Sequence, residues 1–285
     1  MRTSNFDIKQ GLPDNTINCM AQDNRRFVWT GTTNGLAQFD GLFFTLFRYS
    51  NTNTTTISNN NVHSLLSTDT GLYVAADFGV DFYSYSDIRF RRCRIIGLRK
   101  TCHSFISLTK TKSSVFVVDD DGHIYRSAIG EARFNGVATG APVQAIASDG
   151  DCLFAVMRGS VAVLSADGSR VLSRVSLKPS PSNMYNASYC RNTRRLYVGR
   201  GVDEPGQAFD VMGGKLSVAA EPVPSSLKMA CDYEGGVAFA TDGHGVILRR
   251  NGTDRFITED NARICGDAIY SLLPDRNGNL WIGSY

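Results

Sequence analysis

The chain consists of short apolar segments separated by polar clusters rich in Gly, Asp, Asn and Thr. Over residues 16–48 four such segments follow one another, with turn residues between them at Asp23-Asn24, Thr33-Asn34 and Asp40-Gly41. The alternation of apolar and polar positions is imperfect, as expected for strands that are covered on both faces. The pattern predicts four antiparallel strands over Thr16–Ala21, Phe27–Thr30, Gly35–Phe39 and Phe43–Arg48.

The same unit recurs along the whole chain, and its clearest position is an aromatic residue in the second strand. This position repeats every 38–44 residues, and it is filled by Trp29, Tyr73, Phe116, Phe154, Tyr197, Phe239 and Trp281. Four strands per unit at a period of about 40–45 residues are typical of a β-propeller blade. We therefore predict an all-β fold, a seven-bladed β-propeller of four-stranded antiparallel blades, with residues 1–285 as one domain and the aromatics in its core.

The last unit is predicted to be incomplete. The sequence reaches Tyr285 just after the second strand of this unit, and the Gly-Leu-x-x-Phe run expected of a third strand does not follow. Residues Phe6–Lys9 precede the first unit and are predicted to be a fourth strand that closes the last blade. Either a longer parent protein continues beyond Tyr285, which we favour, or the seventh blade is incomplete.

Composition and charge narrow the function classes. Hydrophobic residues make up 42% of the chain and charged residues 20%, which suits a packed core. The 30 basic and 27 acidic residues give a net charge of +3, so charge offers no argument for binding nucleic acid or an anionic membrane. No segment has the about 20 apolar residues that cross a bilayer. The absence of a signal peptide core after Met1 does not establish a cytoplasmic location.

The chemistry-bearing residues form no recognisable catalytic set. The nucleophile-elbow, phosphate-loop and zinc-protease motifs are absent, and the four histidines are isolated in the sequence. We predict no catalytic residue, no metal and no cofactor. The seven cysteines are scattered, which favours buried free thiols, and Cys93–Cys102 is the pair close enough in sequence to suggest a bridge. A basic run over residues 89–94, continued at Arg99 and Lys100, is interpreted as charge that protects an edge strand, ahead of a docking surface for an anionic partner.

The two ends of the chain carry a family resemblance. Gly11-Leu12-Pro13-Asp14-Asn15, followed by Val28-Trp29-x-Gly31-Thr32, resembles the two-component-regulator propeller repeat, and residues 267–285 repeat the pattern. This repeat is typical of the periplasmic part of hybrid two-component sensor histidine kinases, especially those of gut Bacteroidetes. The resemblance implies a periplasmic receptor segment, the first propeller of a longer protein, often tuned to breakdown products of complex glycans. Its partners would be the downstream modules of the receptor and a second copy in a homodimer.

The candidate ligand residues lie where propeller topology gathers loops. Connections between the second and third strands of each blade open on one face around the central channel, and loops held by a rigid scaffold commonly bind ligands. Asp, Arg and His side chains there could hydrogen-bond the hydroxyls of an oligosaccharide. The predicted ligand-binding residues are Asp77, Asp120, Arg158, Arg200, Asp242 and His244. Ordinary polar turns remain the simpler interpretation of these positions.

Three functions are compatible with the sequence. The favoured one is a ligand-sensing and signal-transmitting propeller without catalytic activity. The second is a non-catalytic scaffold for dimerisation or protein interaction, and the third is a propeller carbohydrate lyase or hydrolase. The third needs convergent acids or a His, Tyr and Arg set on the loop face, and the short loops offer few candidates.

Overall fold

In the computed structural model, which describes residues 3–98 and 104–285, short strands pair with their sequence neighbours into a series of antiparallel sheets. The first three sheets contain β1 (Ile17–Gln22), β2 (Val28–Thr32), β3 (Gly35–Phe39), β4 (Phe44–Phe47), β5 (Val62–Ser67), β6 (Gly71–Ala76), β7 (Gly79–Ser84), β8 (Arg89–Arg92), β9 (Arg94–Ile96), β10 (Phe105–Lys110), β11 (Ser114–Asp119), β12 (Ile124–Ala128) and β13 (Arg133–Val137). The four strands predicted for the first unit are confirmed, because each is found within two residues of its predicted bounds.

The remaining strands repeat the same design. They are β14 (Val143–Ser148), β15 (Cys152–Met157), β16 (Ser160–Ser165), β17 (Val171–Ser176), β18 (Asn186–Cys190), β19 (Arg195–Gly199), β20 (Gln207–Met212), β21 (Lys215–Val218), β22 (Leu227–Tyr233), β23 (Gly236–Thr241), β24 (Val246–Arg250), β25 (Thr253–Ile257), β26 (Ile269–Pro274) and β27 (Leu280–Ser284). The described residues also form a 3-10 helix over Ile8–Gln10 and a short α-helix, α1, over Glu259–Ala262. Within residues 3–98 and 104–285 no helix combines the length and apolar character that a bilayer span requires.

The sheets are arranged as a ring. The first strand of each sheet lies beside the first strand of the next, and β26 contacts both β22 and β1, which closes the circle. Six positions of the ring hold complete blades, and the seventh holds a two-stranded sheet of β26 and β27. The propeller prediction is confirmed at this level, with an incomplete seventh blade in the part of the chain that the structure describes.

The repeated aromatic fills the space between blades. Six of the seven are fully buried, whereas Trp281 is partly exposed. The Trp29 ring stacks on Phe47 of its own blade, with centroids 5.5 Å apart, and lies 5.1 Å from Tyr83 of the next blade. Each aromatic therefore joins two sheets, as predicted for a core residue.

The glycine two residues after the aromatic has a steric reason. A Cβ on Gly31 would overlap the side chain of Val62, the first residue of the next blade's innermost strand. Gly283 stands in the same relation to Ile17 across the closure of the ring. The Trp-x-Gly pattern of the two terminal units thus reflects the close approach of neighbouring blades.

The predicted strand at Phe6–Lys9 is wrong. Ile8–Gln10 form a 3-10 helix, capped by the Asp7 carboxylate, which accepts a hydrogen bond from the backbone N–H of Lys9 at 2.6 Å. Residues 3–7 lie outside every sheet. The physical reason is that a fourth strand needs a third strand to pair with, and none of the described strands lies beside β27 on that side. Phe6 nevertheless stacks on Trp281, so its side chain reaches the predicted blade.

The basic run divides between two blades. β8 is the outer strand of the second blade, as predicted, and Arg92 lies 3.3 Å from the buried carboxylate of Asp81. β9 instead leaves that blade and pairs in parallel with β13, the outer strand of the third blade. The third sheet therefore has five strands in the order β10-β11-β12-β13-β9. Arg99 and Lys100 lie outside the described residues.

The thiols are mostly buried and unbridged among the described residues. Cys93, Cys152 and Cys190 are buried, Cys19 and Cys231 are partly buried, and Cys265 is exposed. Burial raises the pKa of the Cys231 thiol to about 12. The suggested Cys93–Cys102 bridge cannot be placed, because Cys102 lies outside the described residues.

Candidate functional site

The loop face is defined here as the beginnings of the innermost strands together with the loops that join second to third strands. In six of the seven innermost strands the pairing register slips by one residue at the same place, directly after the first residue of the strand. A bulge of this kind leaves one residue unpaired and re-aims its side chain. The bulged residues are Asn18, His63, Ile106, Gln144, Lys228 and Tyr270.

Asp77 is the centre of a side-chain cluster on this face. It directly follows β6, and its Oδ1 lies 2.6 Å from Nε2 of His63 and accepts a hydrogen bond from Oγ of Ser104 at 2.7 Å. Nδ2 of Asn61 donates to the other carboxylate oxygen at 3.1 Å. Burial alone would raise the pKa of Asp77, but the hydrogen bonds outweigh it and leave the pKa below its usual value. Asp77 is therefore held as a carboxylate.

Asp242 is the centre of a second cluster, on the sixth blade. Nζ of Lys228 lies 2.9 Å from Oδ2 of Asp242. The same ammonium lies 4.9 Å from the ring centroid of Tyr270, which belongs to the seventh blade. This distance is within the range of a cation–π contact. The cluster therefore places an acid, a base and an aromatic face at one point of the loop face.

The two clusters share one architecture. In both, the basic side chain is the bulged residue of an innermost strand, and the acid follows the second strand of the same blade 14 residues later. In both, the acid also forms an isolated bridge to the residue before the next blade's innermost strand, which is Ser104 or Ala268. The acids are therefore fixed by the backbone of two neighbouring blades.

Four further predicted ligand residues occupy the same face but differ in their surroundings. The backbone N–H of Asp120 donates to the carbonyl oxygen of Ser104 at 3.0 Å, so Asp77 and Asp120 meet at one residue. His244 is exposed in the loop of Asp242. That loop is held by hydrogen bonds from the N–H groups of residues 243 and 245 to the carbonyl oxygen of residue 267. Arg158 is exposed in the corresponding loop of the fourth blade.

Arg200 is buried and engaged within its own loop. Its Nε donates to the carbonyl oxygen of Pro205 at 2.9 Å and one terminal nitrogen to that of Pro179 at 3.2 Å. The other terminal nitrogen lies 3.3 Å from the carboxylate of Glu204. A guanidinium with these three partners orders the insertion over residues 200–205, and we expect Arg200 to position that loop.

Two cavities of the propeller lie apart from the six predicted ligand residues. One of about 660 Å³ lies between the first blade and the two-stranded seventh sheet, and one of about 440 Å³ lies beside the outer strands of the third and fourth blades. Neither is lined by any of the six predicted ligand residues.

Sequence reasoning missed His63, Lys228 and Tyr270. His63 was interpreted as isolated, because its partner Asp77 stands 14 residues away and meets it through pairing of β5 with β6. A signal was available: His63 and Lys228 occupy the same place in their repeat units, each 14 residues before an Asp. Comparing repeat units position by position would have found both pairs.

Comparisons with known proteins agree with the terminal resemblance and the fold. Residues 11–34 and 264–285 match the two-component regulator propeller family, which confirms the resemblance inferred from the terminal units. No curated protein matches the chain significantly in sequence.

Solved structures of similar fold include two extracellular domains from B. thetaiotaomicron. One is assigned to the hybrid two-component system BT3049, with a TM-score of 0.79 at 16% identity over 99% of this chain. The other, assigned to the one-component system BT4673, gives 0.73 at 14% identity over 98% of this chain. The chain spans about 40% of the length of these two domains. The Pan2 WD40 domain of Neurospora crassa is also similar, with a TM-score of 0.66 at 13% identity over 95% of this chain and 86% of that domain.

Proposed function

We propose that this chain is a ligand-sensing and signal-transmitting propeller from the extracytoplasmic part of a two-component sensor, and that it is not itself an enzyme. The observation that carries the proposal is the pair of two-component regulator propeller matches at its two ends. The fold supports the proposal as well, because it is similar to that of the extracellular domains from B. thetaiotaomicron. Downstream modules of the same receptor, or a second copy of the chain, would receive the signal.

The proposed ligand class is an oligosaccharide derived from a glycan. The Asp77 and Asp242 clusters offer carboxylate, imidazole, ammonium and phenol groups, which can accept from and donate to sugar hydroxyls. The Tyr270 ring adds an aromatic face for the apolar side of a pyranose. These features support a sugar more directly than a strongly charged ligand, because both acids already have nearby basic partners.

Signal transmission requires two states of the receptor with different affinities for the ligand. The Asp77 cluster ties blade two to blade three, and the Asp242 cluster ties blade six to blade seven. A sugar that replaces one of these contacts would alter the packing of two neighbouring blades. The packing of the propeller against its neighbours would then differ between the free and the occupied state.

The first test is a thermal-shift screen of the purified chain against a panel of oligosaccharides. A ligand that binds only the native state stabilises it by about 2.7 kcal/mol at a hundredfold excess over Kd. We expect a reproducible rise in Tm with one sugar class. Lys228→Met should abolish the ligand-induced rise, measured from that variant's own baseline. Lys215→Met, an exposed lysine on the outer strand β21, is the matched control and should keep it.

Two results would redirect the proposal. The absence of any Tm shift across the panel would favour the scaffold function, with recognition in another module. Cleavage of any panel glycan by the purified chain, lost in Asp242→Asn, would favour a lyase or hydrolase. We expect the chromatographic profile of every oligosaccharide to be unchanged after incubation with the chain.

A further inference from the structure

Phe78 is an exposed aromatic residue in a backbone conformation that favours glycine. It follows Asp77 in the two-residue loop between β6 and β7, and 62% of its surface is exposed to solvent. Its φ of +60° lies in the left-handed region, which bulky side chains rarely adopt. Burial in the core therefore does not explain why a phenylalanine occupies this position, and a residue kept in such a conformation suggests a role in function.

The fourth blade contains the equivalent loop with a glycine in place of the phenylalanine. In both blades the two residues that flank the loop pair directly with each other. The loop is Asp77-Phe78 in the second blade and Arg158-Gly159 in the fourth. Gly159 has a φ of +80°, which lies in the same region as that of Phe78. The second blade thus carries a large side chain where glycine adopts the same backbone without steric cost.

Ile88 shares this conformation and provides a comparison within the same blade. Ten non-glycine residues of the described chain have a left-handed φ, and the apolar ones are Phe78 and Ile88. Ile88 has a φ of +56° and is 64% exposed. It lies between β7 and β8, at the other end of β7 from Phe78, and therefore on the opposite face of the ring. Phe78 differs from Ile88 in lying on the loop face, directly beside the Asp77 cluster.

The polar groups next to Phe78 are held in place and still reach solvent. The side chains of His63 and Asp77 are 25% and 23% exposed, and Nε2 of His63 lies 2.6 Å from the Asp77 carboxylate. Oγ of Ser104 donates to the same carboxylate oxygen at 2.7 Å. A carboxylate and an imidazole held in this way can form hydrogen bonds with the hydroxyl groups of a ligand with little loss of conformational freedom.

The third blade adds an apolar side chain to the same part of the loop face. Ile106 is the bulged residue of β10, two residues after Ser104, and it is 37% exposed. The isolated bridge between Asp77 and Ser104 holds the loop of Phe78 beside the start of β10. One region of the loop face therefore contains an aromatic residue, an aliphatic residue and a pair of hydrogen-bonding side chains.

This set of groups matches the chemistry of one pyranose unit. A pyranose has C–H groups on the faces of its ring and hydroxyl groups around its edge. An aromatic ring packs against a C–H face, and a carboxylate and an imidazole hydrogen-bond the hydroxyls. A charged ligand is matched less well, because Asp77 and His63 already form a pair.

We propose that Phe78, Asp77 and His63 form a subsite for one uncharged pyranose unit, with Phe78 as the surface on which the sugar ring stacks. The subsite rests on the proposed function, since it locates where one unit of the oligosaccharide binds on the loop face. The Asp242 cluster belongs to other blades and holds a different unit. Phe78 is kept in a strained backbone because glycine, which removes the strain, offers no ring for stacking.

The test compares Phe78→Gly with Ile88→Gly by saturation-transfer difference NMR. The probes are the oligosaccharide panel together with methyl β-D-glucopyranoside and methyl β-D-galactopyranoside, and titration of each probe that binds gives its Kd. We expect Phe78→Gly to weaken binding by about 3–10-fold, which corresponds to the loss of one aromatic contact. Phe78→Tyr keeps the ring and should keep the affinity. Ile88→Gly is the matched control and should bind like the wild type.

Thermal unfolding of the same variants without sugar separates binding from stability. Phe78→Gly and Ile88→Gly remove the same kind of backbone strain, so the Tm of each should equal or exceed that of the wild type. A Tm that falls in Phe78→Gly but not in Ile88→Gly would overturn the inference, because Phe78 would then stabilise the fold by packing.

The binding results also separate this subsite from the proposed function. Unchanged affinity in Phe78→Gly, for a probe that the wild type binds, would overturn the subsite and leave oligosaccharide sensing in place. A wild type that binds none of the probes would overturn both the subsite and the proposed ligand class. Weaker binding in Phe78→Gly alone, with its Tm maintained, would support the subsite.

Discussion

At the scale of single residues, the most informative group is the aspartate that opens the turn before each tryptophan. Oδ1 of Asp23 accepts hydrogen bonds from the backbone N–H groups of Arg25 and Phe27, each at 2.9 Å. Its other oxygen accepts from the indole N–H of Trp29 at 3.1 Å. Asp275 has the same relation to Trp281, at 2.9 Å. One carboxylate thus closes a turn and orients the aromatic that joins two blades.

Replacing these aspartates should have unequal effects, because their surroundings differ. Asp23 is fully buried, so Asp23→Ala leaves three N–H groups without a partner and should cost about 1–3 kcal/mol of unfolding free energy. Asp275 is partly exposed, and water can replace the lost carboxylate, so Asp275→Ala should cost less than about 1 kcal/mol. Urea unfolding of both variants measures the difference. Equal losses would show that burial of the turn does not set the cost.

The Asp77 cluster predicts a dependence of stability on pH. The pKa of Asp77 is lower in the folded chain than its unfolded value of about 3.9, so the carboxylate stabilises the fold above that pH. This stabilisation is lost as the pH falls through the folded pKa. Asp77→Asn should therefore be less stable than the wild type at pH 7, with the difference shrinking below about pH 4.

Urea unfolding between pH 7 and pH 3 measures this convergence. Asp260→Asn, an exposed position at the start of α1, is the control and should follow the wild type throughout. A constant difference between Asp77→Asn and the wild type at every pH would contradict the assignment of Asp77 as a carboxylate held by its neighbours.

At the scale of elements, β9 is the strand that departs most from the repeat. The backbone N–H of Arg94 donates to the carbonyl oxygen of Ala132 at 2.8 Å and begins the parallel pairing with β13. Phe134 is fully buried, and Ile95 packs against the same cluster. β9 therefore covers an edge that pairs with no fifth strand in the other complete blades, as far as the described residues show.

Arg94→Pro should detach this strand, because proline lacks the N–H that donates to Ala132. Hydrogen exchange followed by mass spectrometry should then show faster exchange in β13, while the equivalent outer strand β21 stays unchanged. Arg94→Ala keeps the N–H and is the matched control. If Arg94→Ala accelerated exchange in β13 as much, the side chain and not the backbone would hold β9.

The strands of the first blade could be predicted from the sequence, whereas β9 and the conformation around Phe6 could not. The strands of the first blade were predicted because turn residues and a repeating aromatic mark each boundary. β9 has three residues, and its partner lies about 40 residues away, so no local turn signal announces it. Phe6 was assigned to the right blade from its apolar character, but backbone pairing depends on a neighbouring strand, which a local pattern does not report.

The sequence also located only some residues of the candidate site. Asp77 and Asp242 follow second strands, as expected, because loop position follows from the order of strands. That they bind a ligand stays a prediction. His63 and Lys228 were missed because each reaches its acid only through a bulge. Arg200 stood in a loop by sequence, yet its hydrogen bonds to backbone carbonyls were not foreseen. Bulges and backbone contacts of side chains are tertiary features with weak local signals.

At the scale of the whole molecule, the junction between the seventh sheet and the first blade is the one with the fewest paired strands among the described residues. Gly283 meets Ile17 and Phe6 meets Trp281, whereas the blade there has only two paired strands. The seventh sheet has two hydrogen-bonded strands, whereas each complete blade has at least four. Local opening should therefore begin between the seventh sheet and the first blade.

Phe6→Ala tests this expectation. The side chain is partly buried, so the variant should lose about 1–2 kcal/mol, less than the about 3–5 kcal/mol of a fully buried phenylalanine. Exchange should accelerate in β26 and β27, and the fourth blade, on the far side of the ring, should keep its protection. Uniform acceleration in all blades would mean that the ring opens as one cooperative unit.

The second and third blades are joined both near the central channel and at the outer rim of the ring. Asp77 bridges to Ser104 near the channel, and β9 pairs with β13 at the rim. Sliding one of these blades against the other would break main-chain bonds at both ends, whereas no other neighbouring blades are joined by strand pairing at the rim among the described residues. The rigidity of the ring is therefore uneven, because the second and third blades are held together as one stiff unit. A strain applied to the rim should be taken up by the softer boundaries elsewhere.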